Sequence, residues 1–313
     1  MPDLWTIQRL LTWTRDWLTQ KGSPSARLDA ELLLGEVLKL RRLDLLLRFD
    51  QPVEPAELTH FKALIQRRSR GEPVAYILGH KGFHGIDVHV TPAVLVPRPE
   101  TERVVDVLLA FLRGPDAPQG PVLDLCTGSG AIALAVAFAL SEPVPVLRNR
   151  SQVDDTAEVP APAPPMPRPL VATDVSAPAL DVARANATRL GLPLDLRHGD
   201  LWDALQPGEA FAAIASNPPY VLHERLATLD VDVREFEPHL ALDGGPDGNV
   251  VLDRIAAQAK DHLLPGGLLA VELGSREQGL TFAQRLDAAG LVDARVEPIQ
   301  GGPTSLVTVR RPA

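Results

Sequence analysis

A single cysteine, Cys126, stands in this chain of 313 residues. No internal disulfide can staple the fold, and a reducing compartment suits it. No apolar run reaches the roughly 18 residues of a membrane span. The first residues also lack the basic-then-apolar order of a secretory leader. The expected location is therefore cytoplasmic, with no membrane partner. Positive charge is scarce too: 31 Lys and Arg face 40 Asp and Glu, a formal charge of −9. An acidic chain is a poor footprint for the phosphate backbone, so direct nucleic-acid binding is not expected. Metal-ligand clusters are missing as well. His80, His84 and His89 crowd one stretch, but no Cys or carboxylate group completes a site. An odd separation would put His84 and His89 on opposite faces of a strand, so no metal is expected.

What is present is a large apolar fraction, 45%, enough for a globular chain of about two domains. Charge divides them. Residues 1–75 carry 12 basic against 10 acidic side chains, which leaves 19 against 30 for the remainder. Both signs are interspersed along the first quarter, the pattern of a solvated helical surface. Apolar residues there recur every three to four positions (Leu4, Ile7, Leu11, Leu18), and Gly22 and Pro24 break the run. Ser25 can cap a second helix, a short apolar turn covers Leu43 to Leu47, and Pro55 opens a last helix. This predicts a small bundle, with its Trp residues packed in the core. From Pro73 the period changes to two. Val74–Gly79 and Phe83–Val90 read as strands joined by Gly-containing turns.

The second part alternates strand and helix, as a doubly wound sheet does. Its last two strands, near Ala294–Val296 and Ser305–Val309, have no helix between them, so the last should run antiparallel. Three strand ends carry chemistry. Val122–Leu125 runs into Cys126-Thr127-Gly128-Ser129-Gly130 and an apolar helix. Small residues let a ligand approach the backbone, and the helix N-terminus offers free N–H groups. Gly128-x-Gly130-x-x-Ala133 also fits a loose dinucleotide fingerprint. Asp124, at the strand end, favours S-adenosylmethionine, whose cationic methionine end would lie beside it. Cys126 reads as a packed residue, not a nucleophile. Asp174 ends the next strand. It suits two ribose hydroxyls and equally a helix cap. The separation from Gly130 is long because the stretch 141–169, with eight prolines, interrupts it. That insertion is expected to be a mobile, polyproline-like loop dispensable for folding. Asp200 ends a third strand, where it can accept from an adenine amino group or merely close a turn.

A fourth strand, Phe211–Ala215, ends at Asn217-Pro218-Pro219-Tyr220. Pro218 has no N–H to continue a ladder, and two prolines fix the carbonyl directions of Asn217 and Pro218. With the Asn217 side-chain oxygen, these acceptors suit a planar –NH2 group, and Tyr220 supplies a flat wall. The four residues resemble the signature of methyltransferases acting on amide or exocyclic amino nitrogens. Upstream, Pro97-Arg98-Pro99-Glu100-Thr101 leads into a helix. There Glu100 can cap the helix dipole, or Arg98, Glu100 and Thr101 can rim the ligand pocket. Downstream, Glu235-Phe236-Glu237-Pro238-His239 through Gly248 reads as a mobile-looking, Gly-rich segment near the site.

Taken together, these stretches resemble the peptide chain release factor N5-glutamine methyltransferases (HemK/PrmC type) over nearly the whole chain, including Glu72–Ile77 and Glu237–Gly248. The resemblance implies a Rossmann-like class I methyltransferase sheet, mostly parallel with the last strand antiparallel, behind an all-α N-terminal bundle. It implies a helical substrate-docking domain over 1–72, a β-hairpin linker over 73–97 and a methyltransferase domain over 98–313. The implied reaction is S-adenosylmethionine-dependent methylation of the Gln side chain in the Gly-Gly-Gln motif of class 1 release factors, by a monomer. Asp124, Thr127, Gly128, Ser129, Gly130, Asp174, Asp200, Leu201 and Asn217 would hold the cofactor. Arg98, Glu100, Thr101 and Asn217 to Tyr220 would hold the glutamine, with Asn217, Pro218 and Tyr220 catalytic. Leu201 stands where the family commonly has an aromatic beside the cofactor, with Trp202 one place off. Cys126 stands where it often has Gly. A ribosomal-protein glutamine, or an adenine N6 or guanine N2 of nucleic acid, would be the alternative substrates.

Overall fold

The computed structural model describes residues 4–141 and 168–313. The stretch expected to be a dispensable loop lies almost wholly outside the described residues. Two compact units emerge: residues 1–80 with 229–237, and residues 81–228 with 238–313.

The first unit is helical: α1 (Ile7–Gln20), α2 (Ala26–Leu38), α3 (Arg42–Leu47), α4 (Pro55–Arg68) and α5 (Val74–Leu78). Thr6 caps α1 by accepting from the Arg9 N–H. Pro55 sits at the first position of α4, behind a reciprocal cap of Glu54 and Glu57. Ile7, Leu33, Leu34, Leu45 and Phe61 form the core. A buried ion pair ties α2 to α4. Arg68 Nε donates to Asp29 Oδ2 at 2.6 Å, and Ser23 and Ser25 hydroxyls also donate to Asp29. Arg68 further donates to the carbonyls of Gly71 and Glu72. Every partner is met, which is what such a pair needs to be tolerated. A short helix from later in the chain, Val231–Phe236, joins this unit, with the Val231 and Phe236 side chains against Gly71.

Three local expectations change. Val74–Leu78 is a helical turn, not a strand: Pro73 starts it and Gly79, at φ +80°, ends it. Leu43–Leu47 is likewise helical. Of the N-terminal Trp residues, Trp5 and Trp17 are partly buried against the core, whereas Trp13 is not core. The buried face of α1 is Ile7, Leu10, Thr14 and Leu18. Trp13 lies off that face, half exposed, stacked on Trp17 with 5.8 Å between ring centroids. Arg9 covers Trp5 and Lys21 covers Trp17.

The second unit opens with a hairpin, β1 (His80–Phe83) and β2 (Ile86–His89). His84 occupies its turn, not a strand, and meets Asp106 at 3.0 Å. Then follow α6 (Glu102–Leu112), β3 (Val122–Leu125), α7 (Ala131–Ser141), β4 (Leu170–Asp174), α8 (Ala177–Leu190), β5 (Asp195–His198) and β6 (Phe211–Ser216). After the excursion through α9 (Val231–Phe236) come α10 (Val250–His262), β7 (Leu263–Leu273), α11 (Arg276–Ala288), β8 (Val292–Pro298) and β9 (Ser305–Arg310). The seven strands β3 to β9 form one sheet, in the order β5-β4-β3-β6-β7-β9-β8. Strands β5, β4, β3, β6 and β7 are parallel; β9 runs antiparallel to both β7 and β8. Strands β3 and β6 are buried along their whole length, as central parallel strands are. The order reverses between β3 and β6, and that switch point is where an open sheet leaves a crevice at its carboxyl ends.

Candidate active site

The crevice is real: a cleft of about 290 Å³ opens at those strand ends, lined entirely from the second unit. Thr127, Gly128, Ser129, Asp174, Asp200, Leu201, Asn217, Pro219, Arg98 and Thr101 all line it. Asp124, Gly130, Pro218, Tyr220 and Glu100 are not among the lining residues.

The loop after β3 is built around Asp124. Its Oδ2 accepts from the Thr127 hydroxyl at 2.6 Å and from the Ala133 N–H at 3.1 Å, while Oδ1 is buried without a partner. Burial pushes its carboxyl up to about 7, against the pull of those two bonds. This carboxylate therefore shapes the loop from within. Cys126 has φ +62°, a left-handed conformation that suits the Gly common there, and burial pushes its thiol up. Gly128 has φ +55° and open space where a Cβ would be, so a ligand can reach its backbone. Its N–H donates to Asp174 Oδ2 at 2.8 Å. Asn186, fully buried on α8, braces the loop by donating to the Ser129 carbonyl, and it also bonds the His89 backbone.

Asp174 accepts from Gly128 on one oxygen and from the Ser176 N–H at 2.8 Å on the other. The cap of α8 is Ser176, which accepts from Ala179. Each Asp174 oxygen keeps a lone pair for a ligand hydroxyl. Burial raises its pKa above the usual range, while those two backbone bonds pull it back. Asp200 is paired with Arg254 of α10 at 3.0 Å across the cleft. Leu201 adopts φ +54°, an outlier for a bulky residue, and lines the cleft while packing in the core. Trp202 turns the other way: it stacks on His262 at 4.7 Å and donates to the Arg254 carbonyl. The apolar wall is thus Leu201 with Val175 and Val251, and no aromatic takes part among the lining residues.

Past β6, Asn217 Nδ2 donates to Thr101 Oγ at 3.1 Å. Thr101 is buried in the turn Pro99–Thr101 that opens α6. The Tyr220 ring packs on Gly274, where a Cβ would come within 2.8 Å of it. Its hydroxyl donates to Glu272 Oε1 at 3.4 Å. Gln278 holds the Tyr220 carbonyl and that of Gly248 together. The Gly-rich segment read as loose is pinned. Val221 pairs with Asp243 as a β-bridge, and the Val221 N–H donates to the Leu242 carbonyl. Pro238, Leu240 and Ala241 then reach the cleft.

Two contributors escaped the reading of the sequence. Arg254 carries no local signal, because only the packing of α10 brings it to Asp200. Glu272 did carry one: it is the only charge in the apolar run Leu268–Leu273. Among the described residues no group of three His, Cys, Asp or Glu is placed to hold a metal, and no helix is long and apolar enough to cross a membrane.

A mostly parallel seven-stranded sheet with a penultimate antiparallel insertion, and a Gly-rich loop beside an acidic strand end, defines the class I S-adenosylmethionine-dependent methyltransferases. A solved methyltransferase from Pyrococcus furiosus shares the fold with a TM-score of 0.50 at 21% identity, over 73% of this chain and 90% of its own. Residues 9–79 match the model of the PrmC N-terminal domain. A release factor glutamine methyltransferase of Rhodopirellula baltica is 38% identical over 281 residues, 88% of this chain and 86% of its own. One from Geobacter sulfurreducens is 40% identical over 273 residues, 87% and 86% of the two chains. The chain belongs to the release factor glutamine methyltransferase family.

Proposed function

We propose that this enzyme methylates the side-chain nitrogen of the Gly-Gly-Gln glutamine in class 1 release factors, with S-adenosylmethionine as donor. The observation that carries this reading is the bond from Asn217 Nδ2 to Thr101. With Nδ2 committed, Oδ1 is the atom left to accept, and an acceptor there suits an incoming –NH2. The cleft fits the donor. Gly128 leaves its backbone open, Asp174 keeps lone pairs for ribose hydroxyls, and Asp200 and Leu201 stand beside the place for an adenine.

When bound, S-adenosylmethionine supplies an electrophilic methyl group on a cationic sulfur. An amide nitrogen is a weak nucleophile, so positioning must do most of the catalysis. Asn217 Oδ1 and the Pro218 carbonyl accept the two amide N–H groups and aim the nitrogen. The Tyr220 ring walls the amide plane, and Pro238 and Leu240 at the cleft limit the approach of water. Tyr220 is no base at neutral pH: burial and the neighbouring Glu272 both hold its proton on. The proton leaves after methyl transfer, to Asn217 or to water.

The helical unit docks the release factor body in this reading. A glycine-rich tripeptide offers few side chains, so recognition falls on distant surface. Leu43, Leu46, Leu47 and Phe49 are exposed together, an apolar group of the kind that marks an interaction surface. The enzyme acts in the cytoplasm, as a monomer. A nucleic-acid substrate would need a basic face that the charge of −9 does not supply. The test is labelled S-adenosylmethionine with release factors, ribosomal proteins and nucleic acids, and mass spectrometry of the product. Label on a ribosomal protein or a base, with none on release factor glutamine, would overturn the reading.

A further inference from the structure

A purine is a flat ring system, and it gains most from a flat group laid on its face. At the end of the cleft where Asp200 and Leu201 stand, no aromatic side chain lines the wall. The nearest one in the chain, Trp202, is buried, stacked on His262 and bonded through Nε1. Two lining side chains carry a planar cation instead, Arg98 and Arg254. Arg98 precedes the turn whose Thr101 bonds Asn217, at the glutamine end. Arg254 belongs to α10, and Val251, three residues before it on the same helix face, lines the cleft with it. Arg254 is tethered at its root and at its head. Trp202 Nε1 donates to its carbonyl at 2.9 Å, and its Nη1 lies 3.0 Å from Asp200 Oδ1. The two side chains of that ion pair are 45% and 50% exposed, so the pair adds little to the stability of the free protein. Stability gives no reason for the arrangement, whereas an open guanidinium plane beside the place for an adenine does.

We propose that Arg254 is a cofactor-binding residue whose guanidinium plane, held by Asp200, covers the face of the adenine. The inference rests on the reading that the cofactor is S-adenosylmethionine. A guanidinium stacks on aromatic faces, whereas an ammonium is a compact point charge. Its attraction to the ring strengthens as the ligand displaces water from the pair. The same ion pair engages one Asp200 oxygen and leaves the other to accept from the adenine amino group. Arg254 thus reads the face of the ring and Asp200 reads its edge. A ligand that keeps the ring and loses the amino group separates the two.

The test is calorimetry on the full-length protein with S-adenosylhomocysteine and with S-inosylhomocysteine, in which a carbonyl replaces the adenine amino group. Arg254→Ala should raise Kd about five- to thirtyfold for both ligands and by nearly the same factor, because both present the same ring face. Arg254→Lys keeps a cation for Asp200 and loses the plane, so it should weaken both about fivefold or more. Urea midpoints of both variants should stay near that of the wild type, since the pair is exposed. A wild-type Kd in Arg254→Lys overturns the proposal by reducing Arg254 to a charge. A loss confined to the adenosyl ligand overturns it too, by reducing Arg254 to a holder of Asp200. Should Arg254→Ala fail to fold, Arg254→Lys with the two ligands decides the matter. A wild type that binds neither ligand would sink the cofactor reading itself and this inference with it.

Discussion

Replacing Asp174 by Asn tests the cofactor half of the site most directly. The native carboxylate accepts from Gly128 N–H on one oxygen and Ser176 N–H on the other, both at 2.8 Å. In Asn one of those oxygens becomes an –NH2. Whichever way the amide turns, a donor meets a donor, so one charge-assisted bond is lost and one backbone N–H is stranded. Such a bond contributes about 1.5–3 kcal/mol. The lost acceptor is also one of the two offered to ribose. Part of the loss falls on the free protein, through a looser Gly128 turn, and part on the complex. S-adenosylmethionine affinity should fall roughly 10- to 150-fold by the same energies. Calorimetry with S-adenosylmethionine and with S-adenosylhomocysteine measures it, and both should weaken alike because they share the ribose. A Kd within about threefold of wild type for a folded Asp174→Asn would refute the assignment of the ribose to this carboxylate.

Asn217→Ala should lower kcat on release factor about a hundredfold or more, the scale of removing one oriented acceptor, and leave cofactor affinity intact; a wild-type kcat refutes the role. Asp124 has a folded pKa raised to about 7 from 3.8, so its contribution to stability is complete below 3.8 and is lost as pH rises through 7. Urea titrations of the free protein should show stability falling across that window, and Asp124→Asn should flatten the fall; an unchanged slope refutes it. Leu43→Glu with Leu47→Glu, both exposed, should leave the fold and cofactor affinity alone but lower kcat/KM on intact release factor about tenfold or more; equal kcat/KM excludes a docking role for this patch. Cys126 should resist alkylation near neutral pH, since burial holds it as the thiol; stoichiometric labelling within minutes would contradict this.

Strand ends were the legible part. An apolar run stopped by Asp174, or by Asn217-Pro218-Pro219, shows its own boundary, because burial demands apolar residues and the crevice demands polar ones. The Gly-rich turn is legible for the same reason. Leu201 was harder. Its identity says only that an aromatic is absent; its left-handed backbone, with Leu201 lining the cleft and Trp202 packed on His262, arises from packing. Val74–Leu78 misled because five residues are too few for a period to decide between turn of helix and strand. Trp13 misled because aromatic size suggests burial, whereas the buried stripe of α1 lies on another face. Arg254 could be found only by knowing where α10 comes to rest.

Residues 229–237 carry a consequence for how this protein comes into being. The helices of residues 7–78 are made before the sheet, yet Val231 and Phe236, which cover Gly71, are made only after four of its seven strands. At about 5–20 residues per second, the interval between residue 80 and residue 237 is on the order of 10–30 s. During it the nascent helices have an uncovered edge, and the sheet must begin to assemble while its neighbour in the chain is still waiting for its last piece. A single cut cannot separate the two units, because residues 229–237, on the far side of the active-site signature, belong with the helices.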